Sequence, residues 1–205
     1  MQEGKQFLNK CLKTKILLKP WPHQIIKNTL SKNVFKKLKM QCEKLDVQHT
    51  DLVHIYPKDY KKYNIDFYDE TVSICKNLLE NAQILCGRYP EYRWFLDLAA
   101  NAHISITPPL PWKFYIHQES IDKIWSSVTY ITPQKNVGTK MYTEEAECTF
   151  VKEAPWIPNS TFIFCGQQGK TWHSYESNQN TNRITLNFFI MKDNKNTFLT
   201  MKDII

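Results

Sequence analysis

The sequence lacks any apolar run approaching the roughly 20 residues that a helix needs to cross a bilayer. It also lacks an N-terminal stretch with the basic, apolar and small-residue order of a signal peptide. Its six cysteines are scattered, and no two of them form a C-x-x-C pair. These absences predict a cytoplasmic protein with reduced, structural thiols and no membrane partner.

Glycine and proline are scarce, with only 5 and 10 residues, so neither a low-complexity segment nor a long flexible linker is indicated. There is no internal repeat. A chain of 205 residues, 42% of them hydrophobic, is long enough to bury a sizeable core. We therefore expect one globular domain over residues 1–205, and no feature of the sequence sets its oligomeric state.

Acidic residues are the minority: 20 stand against 27 Lys and Arg, which gives a net charge of +7 and a pI near 9.0. A positive field favours an anionic partner such as nucleic acid, an acidic peptide or a small dicarboxylate. The lysines concentrate early in the chain at helical spacing, which is typical of a solvated helix face. Charge alone therefore does not favour nucleic acid.

The first hundred residues have a helical pattern, and the rest has a strand pattern. Apolar residues recur at helical spacing in 25–45 and in 69–86, with Gly87 just after the second helix. From about Asn101, short alternating runs are separated by turn-forming stretches, which predicts an antiparallel sandwich or barrel and an α+β class. The predicted strands are 102–107, 113–119, 124–131, 161–165, 171–175 and 183–191.

Three side chains in the strand region could bind a metal. His117 and Glu119 stand at i and i+2, so in a strand both point to the same face. His173 adds a second imidazole on a later strand. Two histidines and one carboxylate suit a non-haem Fe(II) site with open positions, although catalytic zinc accepts the same types of ligand.

Arg183 and Thr185 open the strand that follows His173. If 173 and 183 flank a symmetric hairpin, they lie opposite each other and face one cavity. The planar guanidinium fits a carboxylate, and the threonine hydroxyl two residues on lies on the same side. A metal beside such an anchor matches a dicarboxylic 2-oxo acid.

These motifs, in this order, resemble the Fe(II)- and 2-oxoglutarate-dependent oxygenases, especially bacterial and viral members with prolyl-hydroxylase-like cores. The resemblance covers about 101–192. It implies a double-stranded β-helix, or jelly-roll, core supported by helices in about 1–100. The matching stretches are YIHQE (115–119), SVTYI (127–131) followed by Gly138 and Thr139, TWHS (171–174) and RITLN (183–187).

The resemblance implies a dioxygenase that uses Fe(II), 2-oxoglutarate and O2 to hydroxylate a peptidyl side chain or a small molecule, releasing succinate and CO2. Its catalytic iron would be held by His117, Glu119 and His173. The cosubstrate would be anchored by Arg183, assisted by Thr185.

Tyr130 would bind the cosubstrate if its strand lies beside that of His117; a core or rim tyrosine is the alternative. Two departures from the family pattern stand out. The family usually has Asp where Glu119 stands, and the members nearest to animal and plant prolyl hydroxylases usually have Lys where Arg183 stands. The second departure bears on a peptidyl-proline substrate more than on the chemistry.

Two other functions are compatible with the same residues. Nucleic-acid demethylases of the AlkB type carry a second arginine six residues after the first, where this chain has Phe189. A β-sandwich binding module without catalysis is the other alternative, and only Glu119 recommends it.

The remaining expectations concern the surroundings of the site. The helical stripes should pack on the sheet face opposite the site. The segments 54–68 and 143–158 should be free to cover the cavity mouth. Four other histidines are interpreted as surface or capping residues: His23, His49, His54 and His103.

Overall fold

The computed structural model describes residues 2–47, 50–88, 97–193, 197–200 and 203, and for 83–88 only the backbone. The helices are α1 (Gln2–Lys13), α2 (Lys32–Cys42) and α3 (Tyr68–Arg88), with 3₁₀ segments at Pro57–Tyr63 and Glu147–Thr149. The strands are β1 (His23–Ile26), β2 (Val53–Ile55), β3 (Leu98–Thr107), β4 (Trp112–His117), β5 (Lys123–Thr132), β6 (Lys140–Tyr142), β7 (Phe150–Glu153), β8 (Thr161–Cys165), β9 (Trp172–Ser177), β10 (Arg183–Lys192) and β11 (Leu199–Thr200).

The strands form two antiparallel sheets. The larger has the order β1-β8-β5-β10-β3-β11, with β2 also paired to β3, and the smaller has the order β4-β9-β6-β7. Each named pair, from β1 with β8 to β6 with β9, is antiparallel. The predicted combination of supporting helices and antiparallel sheets is confirmed.

Strand β10 has two chemically different faces. Ile184, Leu186, Phe188 and Ile190 belong to the hydrophobic core that contains residues of all three helices. The alternate positions face the other way, into a cavity between the sheets, and are Arg183, Thr185, Asn187 and Phe189. This is the alternation expected of a strand with one face on a core and one on a site, and it confirms that the helices pack opposite the site.

Helices α1 and α3 pack closely on each other and on the larger sheet. Phe7 of α1 is fully buried, and its ring lies 5.6 Å from that of Phe188. Gly4 lies against the backbone of Ser73 in α3, where a side chain would collide with the Ser73 carbonyl. Lack of a Cβ at Gly4 therefore lets the two helices approach.

The first half differs in part from the prediction. Ile25 and Ile26 form strand β1, which pairs with β8, so the helix of this region begins only at Lys32. The spacing of 25–45 was misleading because a partly buried and a buried strand residue, Ile25 and Ile26, happened to continue the helical period. Helix α3 runs to Arg88, past Gly87.

Both segments expected to be free are held in place. Within 54–68, Ile55 pairs in β2, and Tyr60 is 1% exposed in the helical core. Within 143–158, β7 pairs with β6, and the Trp156 ring stacks on Tyr130 at 4.6 Å. Their aromatic residues serve as core contacts, which explains why these polar-looking segments are ordered.

Candidate active site

A cavity of about 160 Å³ lies between the two sheets. It is smaller than the roughly 300–1,000 Å³ of pockets for drug-sized ligands, so it suits a small molecule. Strands β4 and β9 line it on one side, and β3, β5 and β10 on the other. All but one of the sequence-predicted site residues reach it; the lining includes His117, Glu119, His173, Arg183 and Thr185.

His117 and His173 form a pair on adjacent strands. The two residues are register partners of β4 and β9, and their ring centroids lie 4.2 Å apart. The Nδ1 atom of His117 bonds the Tyr115 carbonyl, and that of His173 bonds the Thr171 carbonyl, each at 3.0 Å. Because a carbonyl only accepts, Nδ1 must be the protonated nitrogen, which leaves Nε2 of each ring as an acceptor.

Both imidazoles are neutral near pH 7. Burial, followed by the neighbouring His117, lowers the pKa of His173 to about 4. Burial also lowers the pKa of His117. A neutral imidazole with its second nitrogen bonded to a carbonyl is the usual state of a metal-ligating histidine.

Glu119 lies beyond the end of β4, so the prediction that it continues the strand is wrong. It is nevertheless 9% exposed and faces the cavity. Its Oε2 pairs with Nζ of Lys123 at 2.7 Å. Burial alone would raise the pKa of Glu119, but Lys123 and His173 outweigh it, and the pKa is lowered.

The three candidate ligands share a cavity without converging on one point. Within the described part of the chain, no three His, Cys, Asp or Glu side chains are grouped closely enough to hold a metal ion. The histidine pair is in place, whereas Glu119 is directed to Lys123.

Arg183 is buried, and no described carboxylate lies within salt-bridge distance of it; Glu153 acts on it only as a more distant charge. The residue is 2% exposed, and neither Nε nor Nη2 has a hydrogen-bond partner among the described residues. The guanidinium carbon lies 4.8 Å from the ring centroids of both Trp156 and Tyr175. The two aromatic rings hold the guanidinium in position, but they do not satisfy its N–H groups as a carboxylate would.

The expected hairpin between His173 and Arg183 is not formed. Strand β9 pairs with β4 and β6 in the smaller sheet, whereas β10 pairs with β3 and β5 in the larger one. The two residues face the same cavity from opposite sheets. The prediction was right about the cavity and wrong about the topology. A hairpin turn and a connection between two sheets can contain the same number of residues, so the spacing does not distinguish them.

Tyr130 does not line the cavity. Its strand, β5, pairs with β10 and β8 and not with β4. The Tyr130 hydroxyl donates to Oγ1 of Thr139 and accepts from the Thr139 backbone N–H, both at 3.1 Å. Thr139 itself lines the cavity, so Tyr130 lies one layer behind the wall.

Several lining residues were not predicted from the sequence. Asn187 donates to Oγ of Ser105 at 2.8 Å, and Nδ1 of His54 lies 3.0 Å from the same oxygen. The half-buried His103 packs on the His54 ring at 4.2 Å. The interpretation of His103 as a surface or capping residue is therefore wrong, and the alternation of 103 and 105 along β3 was the available signal.

His23 is also not a surface residue. It is 2% exposed and bonds the Trp21 carbonyl at 2.7 Å. His49 lies outside the described residues. His54 is exposed, as expected, but stands at the cavity wall.

A larger cavity of about 610 Å³ lies between α1, α3 and strands β1, β5 and β8. Its described lining contains no Asp, Glu, Lys or Arg and is mostly apolar. The smaller cavity is the better candidate for chemistry, since it combines a histidine pair, a carboxylate and a buried cation.

No protein-family model matches the chain, and no curated protein matches it in sequence. Solved structures match in fold. A prolyl-4-hydroxylase from Pseudomonas putida is 15% identical, with a TM-score of 0.50 over 86% of this chain and 95% of the other. A prolyl hydroxylase from Trichoplax adhaerens, in complex with a peptide fragment of the hypoxia inducible factor oxygen degradation domain, is 11% identical, with a TM-score of 0.57 over 92% and 89%.

A viral collagen prolyl hydroxylase from Paramecium Bursaria Chlorella virus-1, in complex with 2-oxoglutarate, is 10% identical, with a TM-score of 0.51 over 83% and 96%. The chain therefore has the fold of these prolyl hydroxylases. Among the described residues, no helix is long and apolar enough to cross a membrane.

Proposed function

We propose that this protein is an Fe(II)- and 2-oxoglutarate-dependent dioxygenase with a double-stranded β-helix core. The fold supports the superfamily, and the residues around the cavity support the chemistry. The single observation that carries the proposal is Arg183, a buried guanidinium with two nitrogens that lack a hydrogen-bond partner among the described residues, in the same small cavity as two neutral imidazoles.

A buried charge without a partner is costly, because burial removes the water that would otherwise solvate it. The Arg183 fork has two unsatisfied nitrogens on a planar group, which is the arrangement that binds a carboxylate through two parallel bonds. Thr185 lines the cavity beside it. A small dicarboxylate such as 2-oxoglutarate would satisfy the arginine with one carboxylate and leave the other end facing the histidines.

The donor set fits a divalent metal with open positions. Nε2 of His117 and of His173 would supply two ligands, and Glu119 would supply the third on leaving Lys123. Bound iron would supply the site for O2 and for the 2-oxo acid, with release of succinate and CO2. The carboxylate anchor favours this assignment over a hydrolytic zinc site, since a dicarboxylic cosubstrate that chelates the metal at one end needs a cation for its second carboxylate.

The chain's own residues orient the reactants and exclude water. The Nδ1 bonds to Tyr115 and Thr171 fix the ring planes of the histidine pair. Trp156 and Tyr175 hold the guanidinium between apolar faces. In such an enclosure each hydrogen bond to the cosubstrate is stronger than it would be in water.

The substrate we propose is a peptidyl side chain or a small molecule, to be hydroxylated. A peptide bound to the Trichoplax adhaerens enzyme supports the first type. A nucleic-acid demethylase is less well supported, because Phe189 occupies the position of the second arginine and lines the cavity. An inactive binding module is also less well supported. Two buried nitrogens of Arg183 have no hydrogen-bond partner among the described residues, which a purely structural role does not explain.

The test is 2-oxoglutarate binding by calorimetry in the presence of Mn(II), which can fill the site without turnover. We expect Arg183→Ala to lose about 2–5 kcal/mol of binding free energy, since a buried charge-assisted pair is removed. Arg183→Lys keeps the charge without the fork and should lose less. Lys36→Ala, which removes an exposed cation of α2, is the matched control. Unchanged affinity in Arg183→Ala would place the anchor elsewhere and refute the assignment.

A further inference from the structure

Lys123 is the first residue of β5, four positions after Glu119, and its ammonium lies inside the candidate site. Nζ is 2.7 Å from Oε2 of Glu119 and 4.3 Å from the ring centroid of Phe189. The Lys123 side chain is 29% exposed and that of Glu119 is 9% exposed. This is a partly buried ion pair on the carboxylate that the proposed function assigns to the metal.

In its observed orientation, the Glu119 carboxylate pairs with Lys123 and is not placed to bind a metal ion. Within the residues that the structure describes, Glu119 does not join the two histidines in a group of three metal ligands. To ligate an ion beside His117 and His173, the carboxylate must turn from Lys123 toward the imidazoles. The rotatable bonds of the glutamate side chain allow this turn.

The Lys123 ammonium would remain stabilised if the Glu119 carboxylate turned away from it. The Phe189 ring offers a face to its ammonium, and the remaining exposure of the side chain leaves it partly hydrated. The metal-free state is therefore stabilised by an ion pair that the metal-bound state gives up in whole or in part. Metal binding must offset this loss.

We propose that Lys123 is a positioning residue that competes with the metal for Glu119 and so weakens metal binding by this protein. The inference rests on the proposed metal site and concerns the affinity of that site, not the reaction. A purely structural partner of Glu119 would act in the opposite direction, because removing a residue that orients a ligand typically costs about 10- to 100-fold in metal affinity.

The experiment is calorimetric titration of the metal-free full chain with Mn(II) in the absence of cosubstrate. Lys123→Met should bind Mn(II) about tenfold more tightly than the wild type, whereas Lys123→Arg, which keeps a cation beside Glu119, should remain near the wild-type value. Lys36→Met makes the same change of charge on an exposed face and should leave the affinity unchanged. In a Glu119→Gln background, Lys123→Met should have no tightening effect.

A second readout keeps the test decisive if Lys123→Met is less stable. The uncompensated Glu119 should lower the melting temperature of the metal-free variant, and Mn(II) should raise it by more than it raises that of the wild type. Lys123→Gln provides a polar substitute with the same expected direction.

The outcomes separate this inference from the proposed function. Mn(II) binding that is lost in His173→Ala but unchanged or weaker in Lys123→Met would support the metal site and overturn the role of Lys123. Absence of Mn(II) binding in the wild type and in every Lys123 variant would overturn both. Binding that is stronger in Lys123→Met and lost in His173→Ala would support both.

Discussion

Three histidines of this protein have the same local arrangement. His23, His117 and His173 each bond, through Nδ1, the carbonyl of the residue two positions earlier in the chain. The bond fixes the proton on Nδ1 and directs Nε2 away from the local backbone. His117 and His173 both line the cavity. Nε2 of His23, by contrast, is buried with no hydrogen-bond partner in the part of the chain that the structure describes. One local arrangement thus gives two candidate ligands and one structural residue.

The orphaned nitrogen of His23 predicts a loss of stability in acid. Burial is the main reason that the pKa of His23 lies below its ordinary value of 6.5. Below pH 6.5 the unfolded chain therefore binds a proton that the folded chain resists, so the free energy of unfolding falls as the pH falls. For one histidine the slope is at most about 1.4 kcal/mol per pH unit.

Urea denaturation of the wild type and His23→Asn between pH 7.5 and 5 measures this effect. We expect stability to be level above pH 6.5 and to fall below it, with a shallower fall in the variant. His173 should contribute in the same direction, since its pKa is also lowered. Identical slopes in the two proteins would show that His23 is protonated in the folded state.

Single residues were predictable where spacing alone carried the information. His117, His173, Arg183 and Thr185 all reach the cavity, because strand alternation brings each to the inner face. Lys123 was not predictable as their neighbour, since its contact with Glu119 depends on where β4 ends and β5 begins. The unpaired state of Arg183 could not be predicted either, because only three-dimensional packing decides which acids lie near it.

At the scale of elements, β10 links the supporting helices to the site. It lies between β5 and β3 at the centre of the larger sheet. One face packs on the helices and the other contributes four residues to the cavity. The position of Arg183 therefore depends on how tightly the helices pack behind it.

The contact between α1 and α3 gives a direct test of that packing. Alanine is ordinarily about 1 kcal/mol better than glycine in a helix. At Gly4, however, a Cβ would overlap the carbonyl of Ser73, and Gly4 N–H donates to the Ser73 hydroxyl at 3.2 Å. We expect Gly4→Ala to destabilise the protein by about 1–3 kcal/mol, the usual cost of overpacking.

The measurement is thermal unfolding followed by circular dichroism for the helices and by tryptophan fluorescence. If residues 1–205 form one domain, as we propose, both signals should shift together in Gly4→Ala. Asn9→Ala, on the exposed side of α1, should change stability by no more than about 0.5 kcal/mol. A fluorescence transition that stays in place while the helical signal shifts would instead indicate two independent units.

The long strands were all predicted, but β3 begins at Leu98, before the predicted alternating run. The long strands β5 and β10 were predicted to within one residue at each end, and β8 matches the prediction throughout. Strands β1, β2, β6 and β7, of three or four residues, were missed, since such runs are too short to show a period. Helix α1 was not predicted because its apolar residues are few and its sequence is mostly polar.

On the scale of the whole molecule, the net charge of the protein and the net charge of the cavity lining are both positive. The net charge of +7 favours the approach of an anionic cosubstrate, and the cavity lining carries Lys123 and Arg183 against the single acid Glu119. The fold likeness to prolyl hydroxylases covers 83–92% of the chain, whereas the sequence identity is 10–15%. The general chemistry can therefore be proposed from the cavity, and the substrate must be found by experiment.

Succinate formation from 2-oxoglutarate is the measurement that tests the central claim most directly. The metal-free full chain is supplied with Fe(II), 2-oxoglutarate and air, and succinate is quantified with and without the metal. We predict Fe(II)-dependent succinate in the wild type, and its loss in His173→Ala and Arg183→Ala, both folded by circular dichroism. The assignment as a dioxygenase would be contradicted if the wild type bound Fe(II) and 2-oxoglutarate but formed no more succinate than His173→Ala does.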